Sequence, residues 1–187
     1  MARPRSFDET VVLEAAMHAF RRDGYRESSV ASLERATGLS ASSLYNVFGD
    51  KTGLFHSAME HYVSSFIRPR LARHAGPEAT LEDLEGLFLT LFEAPLDDGY
   101  GCLVTNSAVE HAPSGKTDVL VGVVLDLTAE HIDAVLTREL GDHADGPGLA
   151  LLYQGLLVYS RTGLTTSRHR DAVRTEFARL RARREHR

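Results

Sequence analysis

Tryptophan is missing from this 187-residue chain, and cysteine occurs once, at Cys102. A single cysteine excludes an internal disulfide framework and a zinc site built from cysteine alone. It also fits a reducing compartment, so we expect a cytoplasmic protein. The charged start "MARPRSFDET" has no apolar run behind it and therefore gives no sign of a secretory signal.

Long apolar runs are lacking as well. The longest, "VLVGVVLDL" and "GLALLYQGLLVY", fall short of the roughly 20 apolar residues that span a bilayer. We therefore expect no membrane partner, and we interpret both runs as buried helix segments. With 43% hydrophobic and 25% charged residues, the chain has the composition of a globular protein that can bury a core.

The net charge of −5 is spread unevenly along the chain. Residues 1–55 hold seven basic and seven acidic side chains, residues 56–167 hold six and sixteen, and residues 168–187 hold eight and three. A neutral start, an acidic body with net charge −10 and a basic end with net charge +5 indicate separate roles for the three segments. They do not indicate a protein that coats nucleic acid over its whole surface.

The hydrophobic pattern is helical almost throughout. Val12, Ala16 and Phe20 lie on one apolar stripe, and Gly24 follows its last turn. A fourth helix after Asp50 is expected to stop at "RPR", since Pro69 disfavours continuation. Later helices are predicted over residues 79–94, 100–111, 116–141, 148–163 and 168–185. The sequence thus predicts an all-α fold of about nine helices, divided into residues 1–50 and residues 51–187.

The segment "ATGLS" separates two short helices and makes a helix-turn-helix candidate. Ser28 or Ser29 can cap the first helix and Ser40 the second, which covers residues 41–47. A helix that enters the major groove needs small polar side chains and no carboxylates facing out, and "SASSLYNV" meets that need. A plain three-helix bundle fits the spacing equally well.

Family resemblance separates the two alternatives. Residues 3–55 resemble the N-terminal DNA-binding domain of TetR-family transcriptional regulators, through the ordered pieces "AAMHAF", "DGYRESSVASLERATGLS" and "SSLYNVFGDKTGLF". The resemblance covers just over a quarter of the chain. It implies a homodimer that binds double-stranded operator DNA, most often a repressor, and that responds to a small-molecule effector. The implied DNA-binding residues are Arg3, Arg5, Ser28, Ser29, Ser40, Ala41, Ser43, Tyr45, Asn46 and Lys51.

Two details of this expected interface are open. Asn46 can read adenine through two hydrogen bonds, or it can contact phosphate only. Glu34 stands where the family usually has a small residue, four before the turn glycine. We expect either that Glu34 turns to solvent or that the two helices are slightly splayed.

The segment "GYGCLVTNSAVEHA" resembles a stretch in a NemR-like branch of the same family, which includes electrophile-sensing repressors. Cys102, Asn106 and Glu110 are four apart and share one helical face. A thiol sensor is one hypothesis, because a helix N-terminus lowers a thiol pKa. The alternative is a small buried side chain, which free cysteine usually is.

The resemblance also implies an effector pocket and a dimer interface in the C-terminal part. Few polar residues are expected to point inward, so a mainly apolar or aromatic effector is predicted. The expected pocket residues are Tyr62, Phe66, Phe88, Phe92, Cys102 and Asn106. The expected dimerisation residues, on the last two helices, are Leu152, Leu156, Val173, Phe177 and Leu180.

Signatures of enzymes are missing from the sequence. There is no Gly-x-Ser-x-Gly elbow and no His-Glu-x-x-His motif, and His56 and His61 are five apart, which is wrong for a shared metal on a helix. We expect no catalysis, no cofactor and no metal. Two alternatives to an effector-released repressor stay open: a redox-sensing repressor acting through Cys102, and a helical ligand-binding protein that does not bind DNA.

Overall fold

The computed structural model describes residues 7–94, 96–110, 116–164 and 166–186, and the side chains of residues 116–118 are not described. Within these ranges every regular element is a helix. The helices are α1 (Glu9–Glu27), α2 (Val30–Thr37), α3 (Ala41–Phe48), α4 (Lys51–Tyr62), α5 (Arg68–Ala75), α6 (Leu81–Leu89), α7 (Leu103–Glu110), α8 (Lys116–Leu140), α9 (Gly146–Thr162) and α10 (Ser167–Glu185).

The N-terminal helices start where short polar side chains can accept a hydrogen bond from the first turn. Ser29 accepts from the Ser32 amide, Ser40 from the Ser43 amide and Asp50 from the Gly53 amide. Each bond satisfies an amide that a helix start leaves without a partner. The predicted starts of α2, α3 and α4 are therefore confirmed.

The first helix bends at a glycine. Gly24 adopts φ 79° and ψ 167°, a conformation that L side chains avoid, so the regular part of α1 ends there as predicted. Behind this bend, α1 packs on α2 and α4 around Phe20, Leu33 and Phe55, all fully buried. This packing fixes how α2 and α3 stand relative to the rest of the chain.

The prediction that Pro69 ends the fourth helix is wrong. A π-helical turn, Val63–Ile67, joins α4 to α5, and the residues at both junctions keep right-handed helical φ and ψ angles. Pro69 lies in the first turn after this π turn. At this position the π turn changes the hydrogen-bond register, so the helix does not need an N–H from Pro69, as is also true of the first turn of a helix. Counted this way, the described residues contain nine separate helices.

The C-terminal helices close a core over the far end of α4 and α5. The α5 segment packs on α6 and α8, and α10 packs on α6 and α8. Phe88 of α6 meets Tyr153 and Phe177 edge to face, with ring centroids 5.1 and 5.2 Å away. No helix in the described ranges is both long enough and apolar enough to cross a membrane.

The basic end of the chain folds back on the acidic body. Arg181 pairs with Glu85 at 2.6 Å, and Arg184 pairs with Glu139 at 2.7 Å. Opposite charges that lie far apart in sequence therefore meet along α10.

Candidate nucleic-acid interface and buried cavity

The outward face of α3 is short, polar and uncharged. Ser40, Ser42 and Asn46 are exposed, and Leu44 is buried beneath them. The Ser40 hydroxyl lies 3.0 Å from the hydroxyls of both Ser42 and Ser43, so three serines cluster at the start of the helix. Ala41, Ser43 and Tyr45 are half-buried at the edge of this face. Ser42 is an exposed member that the sequence-based list missed.

Glu34 has a role that the sequence did not reveal. Its carboxylate accepts a hydrogen bond from the Ala41 amide at 2.7 Å, bridging α2 to the first residue of α3. The expectation that Glu34 turns to solvent is therefore wrong, because the side chain is half-buried and links the two helices. A negative charge at a helix N-terminus is favourable to the helix, but it opposes an approaching phosphate.

The two serines before α2 differ in their surroundings. Ser28 is 1% exposed, and its hydroxyl donates to the Gly24 carbonyl at 2.5 Å. This position leaves the hydroxyl no surface for a phosphate, so the prediction for Ser28 is not kept. Ser29 is exposed and caps α2.

Lys51 lies at the start of α4 but not free in solvent. Its ammonium group is 4.6 Å from the centre of the Tyr25 ring and donates to the Arg26 carbonyl at 3.4 Å. These contacts hold the Lys51 charge near the end of α1, which precedes Ser29 in the sequence. Arg3 and Arg5, the predicted basic arm, lie outside the described residues.

A buried junction connects α1 to the C-terminal part. Arg21 is 4% exposed and forms two parallel hydrogen bonds of 2.7 Å to the Asp98 carboxylate, while its Nε donates to the Gly101 carbonyl at 2.6 Å. Two-point bonding of this kind is among the strongest polar contacts in proteins. The loop before α7 is thereby fixed to α1.

Glu110 makes the second half of this junction. Its carboxylate accepts from the Tyr25 amide at 2.9 Å and from the Arg26 amide at 3.0 Å. A Cβ at Gly24 would lie only 2.7 Å from the same carboxylate, so glycine is needed there for space as well as for its φ angle. The end of α7 therefore grips the end of α1, immediately before the helix-turn-helix.

A small cavity lies between α5, α7, α8 and α9, at the other end of α7. Its volume is about 20 Å³, room for about one water molecule. Tyr62 and Cys102, two of the residues predicted for an effector pocket, line this cavity and are each 3% exposed. Burial, and next to it the Cys102 thiol, raises the pKa of the Tyr62 phenol well above its usual range.

The other predicted pocket residues do not line this cavity. Phe88 packs in the core against Phe177, and Phe92 lies under the Arg170 guanidinium at 5.4 Å. Asn106 donates to the Tyr100 carbonyl at 2.8 Å and belongs to the α1 junction. Phe66 lines a separate surface hollow. A helical pattern predicts that such residues are buried in the core, but it does not show which of them line a cavity.

Most of the predicted dimer residues are also core residues. Val173, Phe177 and Leu180 are fully buried within the single chain, and Leu156 is buried too, so they cannot meet a partner. Leu152 is half-buried. The apolar side chains that α9 leaves exposed are different ones, Leu151, Val158 and Tyr159. The apolar stripe of α10 was correctly recognised but assigned to the wrong contact.

Comparison with known proteins agrees with this arrangement. Residues 12–58 match the family described as "Bacterial regulatory proteins, tetR family". The HTH-type transcriptional repressor ComR of Escherichia coli (strain K12) is 31% identical over 115 residues, 59% of this chain and 54% of that protein. An uncharacterized HTH-type transcriptional regulator of Bacillus subtilis (strain 168), YezE, is 30% identical over 115 residues, 60% of this chain and 59% of that protein. The matches thus span little more than half the length of these curated relatives.

Solved structures extend the likeness over nearly the whole chain. A cysteine mutant of the TetR family transcriptional regulator CifR, complexed with 26-base-pair double-strand operator DNA, is 26% identical with a TM-score of 0.72. The match covers 94% of this chain and 98% of that one. Residues 12–58 therefore match the TetR-family N-terminal helix-turn-helix domain, and the fold of nearly the whole chain is similar to that of a TetR-family regulator.

Proposed function

We propose that the protein is a sequence-specific DNA-binding transcriptional regulator of the cytoplasm, acting as a repressor that a small, mainly apolar effector releases. The observation that carries the proposal is the exposed, uncharged and well-capped face of α3, from Ser40 to Asn46. A helix with such a face brings no carboxylate of its own into a major groove. The relatives support regulation of genes rather than catalysis, since those named above are transcriptional regulators.

In this proposal residues 1–50 read DNA, and residues 51–187 bind the effector and form a homodimer. Two reading heads then meet a pseudopalindromic operator whose half-sites lie about one helical turn apart, or a multiple of it. Ser29, Ser40, Ala41, Ser43, Tyr45 and Lys51 are the proposed contacts, with Arg3 and Arg5 as a basic arm. Asn46 is the proposed base reader. Because residues 1–55 carry no net charge, affinity rests on few contacts and should show a moderate salt dependence.

The α1 junction supports a mechanism for release. One end of α7 contributes to the cavity through Val104 and Thr105, while Glu110 at its other end holds the last turn of α1. An effector larger than one water must push the cavity walls apart, and α7 can pass that movement to the reading head. Such a ligand favours the open state only if it binds that state better than the DNA-bound one.

A gel shift with DNA from upstream of the protein's own gene tests the proposal. We expect a retarded complex that competitor DNA of unrelated sequence does not displace. Replacing Asn46 by Ala should weaken this complex by about 1–3 kcal/mol if Asn46 reads a base. Failure to bind any fragment of that region would instead favour a helical ligand-binding protein without DNA binding.

A further inference from the structure

Arg70 is a cation on the wall of the cavity whose partners are all neutral. Its Nη1 donates to the Tyr153 hydroxyl at 2.6 Å, its Nε donates to the Thr90 hydroxyl at 3.0 Å, and Nη2 donates to Thr90 and to the Leu87 carbonyl. No carboxylate in the described part of the chain pairs with it. By contrast, the buried Arg21 is neutralised by Asp98.

Two hollows meet at this arginine. Arg70 and Leu96 line both the inner cavity and a surface hollow of about 320 Å³ between α5 and the end of α6. The outer hollow is in the size range of small-molecule sites, whereas the inner cavity holds about one water. Movement of the Arg70 and Leu96 side chains would therefore join an apolar interior to the surface.

The outer hollow is positive in a part of the chain that is otherwise acidic. Arg70 and Arg73 line it together with His74, and none of its described lining residues is Asp or Glu. Burial lowers the pKa of His74, and the two arginines lower it further, so the arginines supply the positive charge at neutral pH. Residues 56–167 as a whole carry a net charge of −10.

A second polar group lies on the wall of the inner cavity. Among the described residues, the Tyr62 hydroxyl is buried and has no hydrogen-bond partner. Leaving such a group unpaired costs free energy that a ligand atom can recover. Apolar side chains such as Ile67, Leu71 and Leu87 form the rest of the wall.

We propose that the joined hollows bind a small organic acid, with its carboxylate on Arg70 and its apolar body among Ile67, Leu71 and Leu87. The proposal rests on the proposed function, because it names the chemical class of the effector. A carboxylate takes a charge-assisted hydrogen bond from the second N–H of Arg70 Nη1, which the contacts above leave open, and is drawn in by Arg73. A hydroxyl or carbonyl further along the ligand can accept from Tyr62. The apolar body displaces Leu96 and widens the cavity, which is the change that the proposed release mechanism requires.

Isothermal titration of the full chain with matched acids and amides tests this proposal. The probes are hexanoate against hexanamide and 3-phenylpropionate against 3-phenylpropanamide. We expect each acid to bind about tenfold more tightly than its amide, since a charge-assisted pair is replaced by neutral hydrogen bonds. Equal affinity of acid and amide, or no binding of either acid, would overturn the proposal.

Variants of three arginines of α5 locate the effect. Arg70→Met should abolish the preference for the acid, Arg70→Lys should keep part of it, and Arg68→Met should leave it unchanged, because Arg68 is exposed and lines neither hollow. Circular dichroism checks folding. If Arg70→Met does not fold, Arg73→Met serves instead and should weaken acid binding several-fold. A preference that persists in a folded Arg70→Met protein, or in Arg73→Met when that variant is used, contradicts the proposal.

Operator binding by the ligand-free protein is measured separately. A chain that binds operator but does not prefer acids rejects this inference and leaves the regulator intact. A chain that prefers acids but binds no operator supports the acid site and rejects the regulator.

Discussion

At the scale of single residues, a charged side chain of α2 helps to hold α3, the helix that is proposed to read DNA. Glu34 is the sharpest case, since its carboxylate both anchors Ala41 and places a negative charge beside the proposed phosphate contacts. The effect of this charge on DNA binding should be measurable, because a substitution can remove the charge of Glu34 and keep its hydrogen bond.

Glu34→Gln keeps an oxygen for the Ala41 amide and removes the charge. We expect the operator affinity to rise by roughly threefold to tenfold at low salt, and the gain to shrink as salt screens it. Fluorescence anisotropy with labelled operator measures both. Glu130→Gln, an exposed change on α8, is the control and should have no effect. An unchanged or weaker affinity for Glu34→Gln would show that the carboxylate lies away from the phosphates.

Cys102 can be examined in the same direct way. Because the side chain is 3% exposed, we expect iodoacetamide to label it at least about tenfold more slowly in native protein than in guanidinium. Mass spectrometry follows the labelling. Rapid native labelling would support the electrophile-sensing alternative, which titration with electrophiles in wild type and Cys102→Ser would then examine.

At the scale of elements, α7 connects the cavity to the end of α1, which lies immediately before the proposed DNA-reading helices. Glu110→Ala removes the acceptor for two amides of α1, which should lower the free energy of unfolding by about 1–3 kcal/mol. Denaturant unfolding measures this loss. Val109→Ala, an exposed neighbour, should stay within about 0.5 kcal/mol of wild type.

If Glu110 couples the cavity to the end of α1, Glu110→Ala should also reduce the fraction of DNA that the effector releases. A full response to effector in a folded variant would contradict that coupling.

The start of α6 predicts a dependence on pH. The Thr80 amide and hydroxyl donate to Asp83 at 2.9 and 2.8 Å, and these bonds lower the pKa of Asp83. A lowered pKa means that the carboxylate stabilises the fold above its unfolded pKa of about 3.9, and that this is lost as pH falls through the folded pKa.

Asp83→Asn should therefore melt below wild type at pH 7, and the two melting temperatures should approach each other below about pH 4. Differential scanning calorimetry across this range checks the trend. Glu78→Gln, an exposed change just before α6, is the matched control. A constant difference at all pH values would rule out the charge of Asp83 as the cause.

At the scale of the whole molecule, the proposed homodimer must use the surface that the single chain leaves exposed. Leu151 is 74% exposed on α9, and Val158 lies two turns further along the same side. Burying such a stripe against a second copy is the proposed basis of the homodimer.

Leu151→Glu should convert the dimer to monomer, since it places a charge in an apolar interface. Light scattering after size exclusion measures the mass. Loss of the paired reading heads should weaken operator binding by about a hundredfold or more. Val109→Glu, an exposed apolar position on α7, is the control. A dimeric Leu151→Glu protein would place the interface elsewhere.

The sequence by itself determined the helices, their caps at Ser29, Ser40 and Asp50, and the helix-turn-helix. The helices and their caps depend on hydrogen bonds and apolar spacing within a few residues, so local pattern is enough to find them. The helix-turn-helix was separated from a plain three-helix bundle by family resemblance and not by local pattern. A local rule predicted that the helix ends at Pro69. The π turn before Pro69, which that rule does not consider, allowed the helix to continue.

Only the tertiary structure decided which apolar faces are core, which line a space and which are left for a partner. A stripe such as Val173, Phe177 and Leu180 has the same pattern in each of these cases. The junction of Arg21 with Asp98 and the contact of Arg70 with Tyr153 join residues 77 and 83 positions apart. No periodicity links such pairs, because their meeting depends on how the helices pack.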